Sequence, residues 1–168
     1  AVNAVGGISR KMTPGVMVLP DQLIDYSWGR EHTFFTGTHG LDKHIDFTFP
    51  YDAALSALLI QAALSCDLTV LTSAVYACTQ GPRLETAAEI SRLARDACDV
   101  VGMTGMPEAA LARELQLSYS CIALVVNKAA GLGGDVISLE EMKQVMQAGI
   151  KNIRKLLLTA LPLLAAAE

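Results

Sequence analysis

The chain alternates short apolar runs with longer amphipathic segments, as in proteins whose strands are connected by helices. Apolar runs typical of buried strands fall at residues 1–5, 16–19, 68–78, 99–102 and 118–126. Helical periodicity is found at residues 53–65, at 86–97, from Pro107 onward and at 138–161. This alternation predicts an α/β fold, with a mostly parallel mixed sheet flanked by helices on both faces.

The first and last of these helices have clear start signals. Asp52 is a predicted N-cap for the first helix, and Ser138 is one for the last. The predicted buried stripe of the last helix is Ile150, Ile153, Leu157 and Leu161. Residues 21–46 are polar, aromatic and irregular, and so long a connection usually carries function or an interface.

The composition is that of one globular domain spanning residues 1–168. Hydrophobic residues make up 52% of the chain, but no continuous apolar block reaches the roughly 20 residues that a transmembrane helix needs. The net charge is -4, and Lys and Arg form no dense run. We therefore expect neither a nucleic acid nor a membrane as partner.

The cysteines and histidines do not have the spacing of a metal site. No two cysteines form a C-x-x-C pair, which favours buried free thiols in a reducing cytoplasm. Three histidines lie at uneven spacing in the irregular connection, at His32, His39 and His44. We predict no metal site. Serine-hydrolase, triphosphate-binding and dinucleotide-binding motifs are also absent from the sequence.

Polar segments interrupt the chain where three of the predicted strands end. They are GPRLET at 81–86, GMTGMPE at 102–108 and VVNK at 125–128. Ligands of open α/β sheets bind at the carboxyl ends of the strands. The three segments therefore predict one shared binding site.

Glu85 and Asn127 are the most informative polar residues of these segments. A polar side chain at a buried strand end is costly unless it has partners, and Asn127 lies at such an end. The pair offers an acceptor-only carboxylate and an amide that both donates and accepts, which suits the N1 proton, O6 and N7 of a 6-oxopurine. Purely structural roles are equally compatible with the pattern, with Glu85 capping the helix that follows and Asn127 capping the loop behind it.

Four ordered segments resemble the family of purine nucleoside and methylthioadenosine phosphorylases. They are AVNAVGGI at 1–8, GPRLETAAEI at 81–90, DVVGMTGMPEAALAREL at 99–115 and VVNK at 125–128. The resemblance implies the nucleoside phosphorylase fold and a pentosyltransferase that cleaves the glycosidic bond of a purine nucleoside with inorganic phosphate. Phosphate would be a co-substrate, and no cofactor is implied.

The resemblance also implies roles at the sugar and phosphate end of the site. Thr104 and the backbone of Asn3 and Ala4 would contact phosphate, and Thr104 would be catalytic. Met103 would pack under the ribose. Holding an anion against the developing sugar cation is the main catalytic contribution expected.

At the base, the resemblance implies that Asn127 bonds N7 and O6 as a catalytic residue and that Glu85 bonds N1. Leu84, which replaces a family aromatic residue, would line the base. Methylthioadenosine enzymes have an aspartate where Asn127 stands, so this chain matches the 6-oxopurine branch.

At the 5′ end, Leu139 aligns with a histidine that 6-oxopurine enzymes use to bond the 5′-hydroxyl. An apolar wall there would suit a methylthio group. The combination implies phosphorolysis of S-methyl-5′-thioinosine to hypoxanthine and 5-methylthioribose 1-phosphate in purine salvage. Methylthioadenosine and inosine or guanosine are the alternative substrates, and Leu139 could instead be the first core residue of its helix.

His44 resembles a residue that the family sends into the 5′ side of a neighbouring subunit's pocket, which implies a homotrimer. The resemblance covers the C-terminal two thirds of the family domain, so we expect an N-terminally truncated domain. A phosphate loop and an Arg-His pair would then be missing and phosphorolysis impaired. A catalytically silent purine-binding module is the other interpretation.

Overall fold

The computed structural model describes residues 1–37, 44–133 and 136–166, so His39 and Gly134 lie outside the described residues. The chain forms seven strands and four helices in these ranges. The strands are β1 (Val2–Gly7), β2 (Met17–Leu19), β3 (Gln22–Asp25), β4 (Val70–Thr72), β5 (Val75–Cys78), β6 (Val100–Gly102) and β7 (Ile122–Lys128). The helices are α1 (Ala53–Ser65), α2 (Ala87–Arg95), α3 (Glu108–Glu114) and α4 (Leu139–Ala165).

All seven strands belong to one sheet, in the order β3-β5-β6-β1-β7-β2-β4. Four neighbouring pairs are parallel, namely β1 with β7, β2 with β4, β3 with β5 and β5 with β6. The pairs of β1 with β6 and of β2 with β7 are antiparallel. The predicted fold class, a mostly parallel mixed sheet in an α/β protein, is confirmed.

The sheet is strongly curled, because two short connections join its opposite edges. β2 and β4 end the strand order on one side, while β3 and β5 end it on the other. Only two residues separate β2 from β3, and only Ser73 and Ala74 separate β4 from β5. Two residues span at most about 7 Å, so the two edges must lie close together.

The predicted single strand over 68–78 is therefore wrong, and so is the irregular interpretation of 22–25. Ser73 has a φ of +59°, which breaks the extended backbone and lets β4 and β5 pair on opposite sides of the curl. β3 pairs along its whole length with β5.

Residues on alternate sides of the central strands pack into separate cores. On β7, Ala123 and Val125 face the inside of the curl, where they join Tyr76 and Val18. Ile122, Leu124 and Val126 face the layer made by α1 and α4. Because both faces of β7 are covered, the strand has a continuous apolar sequence. The four cysteines are free and buried.

The caps at Asp52 and Ser138 are confirmed, since their side chains accept hydrogen bonds from the backbone N–H of Leu55 and Glu141. The predicted buried stripe of α4 is mostly wrong. Of its four residues only Ile153 is buried, and Ile150 and Leu161 are 52% and 58% exposed. The buried face of α4 is Gly149, Ile153, Leu156 and Ala160.

Gly149 explains this orientation of α4. A Cβ built there would collide with the side chain of Leu124, so the absence of a side chain lets the helix lie directly on β7. Gly149 and Ala160 belong to the packing face together with Ile153 and Leu156, whereas the large Ile150 and Leu161 lie outside it. None of the helices in the described ranges has the length and apolar content needed to cross a membrane.

Candidate functional site

A cavity of about 330 Å³ opens along β1, between β6 on one side and β7 on the other. Seven of the nine predicted site residues line it, namely Asn3, Ala4, Leu84, Glu85, Met103, Thr104 and Asn127. Ile137 and Met142 add apolar side chains at the start of α4. The three polar segments of the sequence therefore do converge on one site.

The reason for this convergence differs from the one that the sequence suggested. β6 is antiparallel to β1, whereas β7 is parallel to it, so the polar segments do not all follow the same edge of a parallel sheet. Gly6 lies opposite Val101 on one neighbour and opposite Asn127 on the other. Strand register across β1 brings the segments together.

An irregularity in the register directs Asn127 into the cavity. Val5 pairs with Val125, but Gly6 pairs with Asn127, so Val126 is an extra residue in β7. Regular pairing would place Val126 opposite Gly6 and turn Asn127 to the other face of the sheet. A β-bulge commonly reorients a side chain in this way beside a functional site.

The side chain of Asn127 is half-buried and makes a local bond. Its Nδ2 donates to the carbonyl oxygen of Lys128 at 2.6 Å. An amide has a second N–H and a carbonyl oxygen, so further hydrogen bonds to a ligand are available. Lys128 donates through Nζ to the carbonyl oxygens of Ser9 and Arg10, which ties the end of β7 to the turn after β1.

Glu85 is held by the residue that directly follows β5. The Thr79 hydroxyl donates to Oε1 of Glu85 at 2.7 Å. Glu85 is not the cap of α2, because Thr86 caps that helix and forms a reciprocal pair of hydrogen bonds with Glu89. The carboxylate of Glu85 is therefore left to face the cavity.

Glu89 is held by two partners on the surface beside Glu85. Arg83 donates two hydrogen bonds to its carboxylate at 2.8 and 2.9 Å, and the backbone N–H of Thr86 donates a third at 2.7 Å. These bonds, chiefly those from Arg83, lower the pKa of Glu89 to about 2. The contacts order the turn that carries Leu84 and Glu85.

Met103 packs closely against the turn after β5. A Cβ built on Gly81 would lie 2.5 Å from Sδ of Met103, and Gly81 has a φ of +67°. Thr104, the next residue, is exposed at the cavity. Leu84 is 40% exposed. The thioether and the threonine hydroxyl thus lie at the same end of the cavity, on one loop.

Asn3 contributes to the cavity through its backbone, since its side chain lies on the opposite face of β1 and is only 7% exposed. Its Nδ2 has no hydrogen-bond partner among the described residues. A Cβ built on Gly105 would lie 3.6 Å from that nitrogen and 3.8 Å from the ring of Tyr76. Burial raises the pKa of Tyr76 to about 12, so its hydroxyl stays protonated.

Leu139 and His44 are not brought to the cavity. Leu139 is 66% exposed at the first position of α4, and Ile137 and Met142 form the apolar wall instead. His44 is exposed and does not line the cavity of its own chain. Its role toward a neighbouring subunit stays a prediction. Among residues 1–37, 44–133 and 136–166, no three His, Cys, Asp or Glu side chains group as metal ligands.

Arg30 is a site-associated residue that sequence reasoning missed. Its guanidinium donates to the carbonyl oxygens of Thr79, Gln80 and Met103 at 3.0–3.2 Å, and also to that of Met106. The contacts span up to 76 residues of sequence. Backbone carbonyls leave no mark in a sequence pattern, so only the fold reveals them.

The sequence matches a family model described as the Phosphorylase superfamily over residues 1–162. It is 53% identical over 154 residues to a "Probable S-methyl-5'-thioinosine phosphorylase" of Pseudomonas syringae pv. tomato, covering 92% of this chain and 63% of that protein. It is 42% identical over 169 residues to a "6-oxopurine nucleoside phosphorylase" of Pyrococcus furiosus, covering 98% and 64%.

A similar solved structure is that of methylthioadenosine phosphorylase from Schistosoma mansoni in complex with adenine. The TM-score is 0.91 at 27% identity, covering 99% of this chain and 65% of that one. The chain thus spans slightly less than two thirds of the length of these relatives.

Proposed function

The chain belongs to the phosphorylase superfamily, and we propose that it serves the phosphorolysis of S-methyl-5′-thioinosine. In this reaction the bond between C1′ and N9 breaks and a bond forms between C1′ and a phosphate oxygen. The electron pair of the broken bond goes to the base, which leaves as hypoxanthine after N7 accepts a proton, and the other product is 5-methylthioribose 1-phosphate. The presence of Glu85 and Asn127 in one cavity carries this proposal.

Base recognition follows from the hydrogen-bonding character of these two side chains. Glu85, held by Thr79, accepts from the N1 proton of a 6-oxopurine. The free N–H of Asn127 donates to O6 or N7, and its carbonyl oxygen accepts once N7 is protonated. Adenine has no N1 proton in its neutral form, so its fit to Glu85 is poorer.

The sugar and phosphate lie at the other end of the cavity. Met103 packs under the ribose, while the Thr104 hydroxyl and the backbone of Asn3 and Ala4 face phosphate. Bringing the anion to the sugar cation that develops as the base departs stabilises the transition state.

The apolar wall supports a methylthio group at the 5′ position. Ile137 and Met142 offer no hydrogen-bond donor or strong acceptor, so a 5′-hydroxyl buried against them would lose its partners in water. A methylthio group would gain apolar contact there. Ile137 and Met142 thus support the same substrate that Leu139 implied.

Large apolar side chains on the outer surface support self-association, which we propose as a homotrimer with His44 approaching a neighbour's site. Trp28, Phe34 and Phe49 are 71%, 55% and 69% exposed, and Leu117 is 60% exposed. Exposure of this kind is typical of interaction surfaces. The four buried free thiols fit a reducing compartment, which supports a cytoplasmic role in purine salvage.

Hypoxanthine release from S-methyl-5′-thioinosine, measured with and without phosphate, tests the proposal. Glu85→Gln should weaken hypoxanthine binding about tenfold or more in calorimetry, because it replaces a hydrogen bond to a charged acceptor. The matched control is Glu31→Gln, an exposed loop residue outside the cavity. Equal effects of both substitutions would contradict the base assignment. Hypoxanthine binding that is indifferent to phosphate would favour a catalytically silent purine-binding module.

A further inference from the structure

Arg30 joins two loops that both line the cavity, one with Leu84 and Glu85 and the other with Met103 and Thr104. Its Nη2 donates to the carbonyl oxygens of Thr79 and Gln80, just before the turn that leads to Glu85. The same nitrogen donates to the carbonyl oxygen of Met103 at 3.0 Å, and Nη1 donates to that of Met106. We call residues 79–86 the base loop and residues 102–107 the sugar loop.

The guanidinium binds these loops without a carboxylate partner. Among the described residues, no Asp or Glu oxygen forms an ion pair with Arg30. The half-buried charge is therefore solvated by backbone carbonyls from two loops. Losing that arrangement would leave both the cation and the carbonyls short of partners, so the charge favours the geometry in which the loops converge.

A second set of contacts joins the loops at their bases. The backbone N–H of Thr79 donates to the carbonyl oxygen of Gly102 at 2.8 Å. The Thr79 hydroxyl, which holds Glu85, also lies 3.3 Å from that same oxygen. Arg30 adds to this pairing at the carbonyl of Thr79 and extends it to those of Gln80, Met103 and Met106.

From these contacts we propose that Arg30 is a positioning residue, which sets the distance between the base-reading Glu85 and the sugar-binding Met103 and Thr104. This inference rests on the proposed function for its catalytic meaning. Arginine suits the role because its planar fork carries five N–H donors in fixed directions. Three of the four carbonyls lie around Nη2, and that of Met106 is contacted by Nη1, so a lysine, whose donors are on one atom, cannot reach all four at once.

Amide hydrogen exchange tests the clamp without requiring activity. Arg30→Lys and Arg30→Ala should speed exchange in the base and sugar loops about tenfold or more, because several charge-assisted hydrogen bonds are lost. Exchange in α4 around Ile153 and Leu156, which pack in the core shared with α1 and β7, should be unchanged. The control Arg95→Lys, on the exposed face of α2, should change neither loop. Unchanged loop exchange in the Arg30 variants, or equal acceleration along the whole chain, would overturn the proposal.

Chemical rescue distinguishes positioning from general destabilisation. In Arg30→Ala, hypoxanthine should bind about tenfold or more weakly, and millimolar guanidinium should restore both binding and loop protection. Methylammonium, which lacks the planar fork, should restore neither. Weakened binding that guanidinium fails to restore would overturn the inference. If the unaltered protein binds no hypoxanthine, the proposed function fails, while the exchange measurements still decide the role of Arg30.

Discussion

Replacing Gly81 by alanine should destabilise the protein by two separable effects. The first is backbone strain, since a φ of +67° is left-handed and costs an L-residue about 1–2 kcal/mol. The second is steric. The new Cβ would lie 2.5 Å from Sδ of Met103, so the sulfur must retreat by about 1 Å to reach ordinary contact. Since the sulfur is near the end of a flexible side chain, we expect this step to cost about 1 kcal/mol.

Gly37 provides a control for the backbone effect. Its φ is +66°, and no described atom lies within 4 Å of a Cβ built there. Gly37→Ala should therefore show the strain alone, and Gly81→Ala should cost about 1 kcal/mol more. In a Met103→Ala background the collision is absent, so the cost of Gly81→Ala should fall to that of Gly37→Ala.

Urea unfolding of the four variants and the unaltered chain measures these differences as free energies of unfolding. The extra 1 kcal/mol corresponds to about 2–4 °C in melting temperature for a protein of this size. If Met103 packs under the sugar as proposed, Gly81→Ala should also weaken nucleoside binding more than binding of the free base. If Gly81→Ala costs the same with Met103 present and absent, the packing argument is refuted.

Four further substitutions test other parts of the molecule. Asn127→Asp should lower the affinity for hypoxanthine relative to adenine about tenfold, because a carboxylate cannot donate to O6; an unchanged ratio in calorimetry would count against the base assignment. Met142→His should raise the turnover of inosine relative to that of methylthioinosine. Leu139→His should leave this ratio unchanged. The reverse result would place Leu139 at the 5′ group. Glu89 has its pKa lowered from 4.5 to about 2, so its contribution to stability is present above pH 4.5 and lost as the pH falls toward 2. In urea unfolding curves measured at several pH values, Glu89→Gln should lose less free energy of unfolding than the unaltered chain as the pH falls. The same pH dependence in both proteins would show that the Arg83 contact adds nothing to stability.

The sequence identified the cavity residues better than it identified their geometry. Glu85 and Asn127 stand out because polar side chains at the ends of apolar strands need partners. The orientation of Asn127, however, depends on an extra residue at Val126, and the sequence VVN has no feature that marks a bulge. The convergence of the polar segments also depends on antiparallel pairing across β1, which alternating strands and helices do not predict.

Two other features could not be predicted for the same physical reason. Arg30 acts through backbone carbonyls of residues distant in sequence, and carbonyls are common to every residue type. The face of α4 is chosen by the close approach of Gly149 to Leu124, whereas hydrophobic periodicity favours the larger Ile150 and Leu161. A hydrophobic pattern reflects the preference of each side chain for water or for the core. It does not show which backbone atoms come close to other parts of the fold.

The position of β7 has a consequence for the biosynthesis of the protein. β1 can pair with β6 once residue 102 has left the ribosome, and β2 can pair with β4 after residue 72. Among the described strands, β7 alone is hydrogen-bonded to both β1 and β2, because it lies between them in the sheet. A nascent chain therefore carries an unfilled gap in its sheet until residue 128 emerges. During that interval the apolar edges of β1 and β2 need protection, and the cavity is completed only after β7 is inserted and Ile137 and Met142 have followed it.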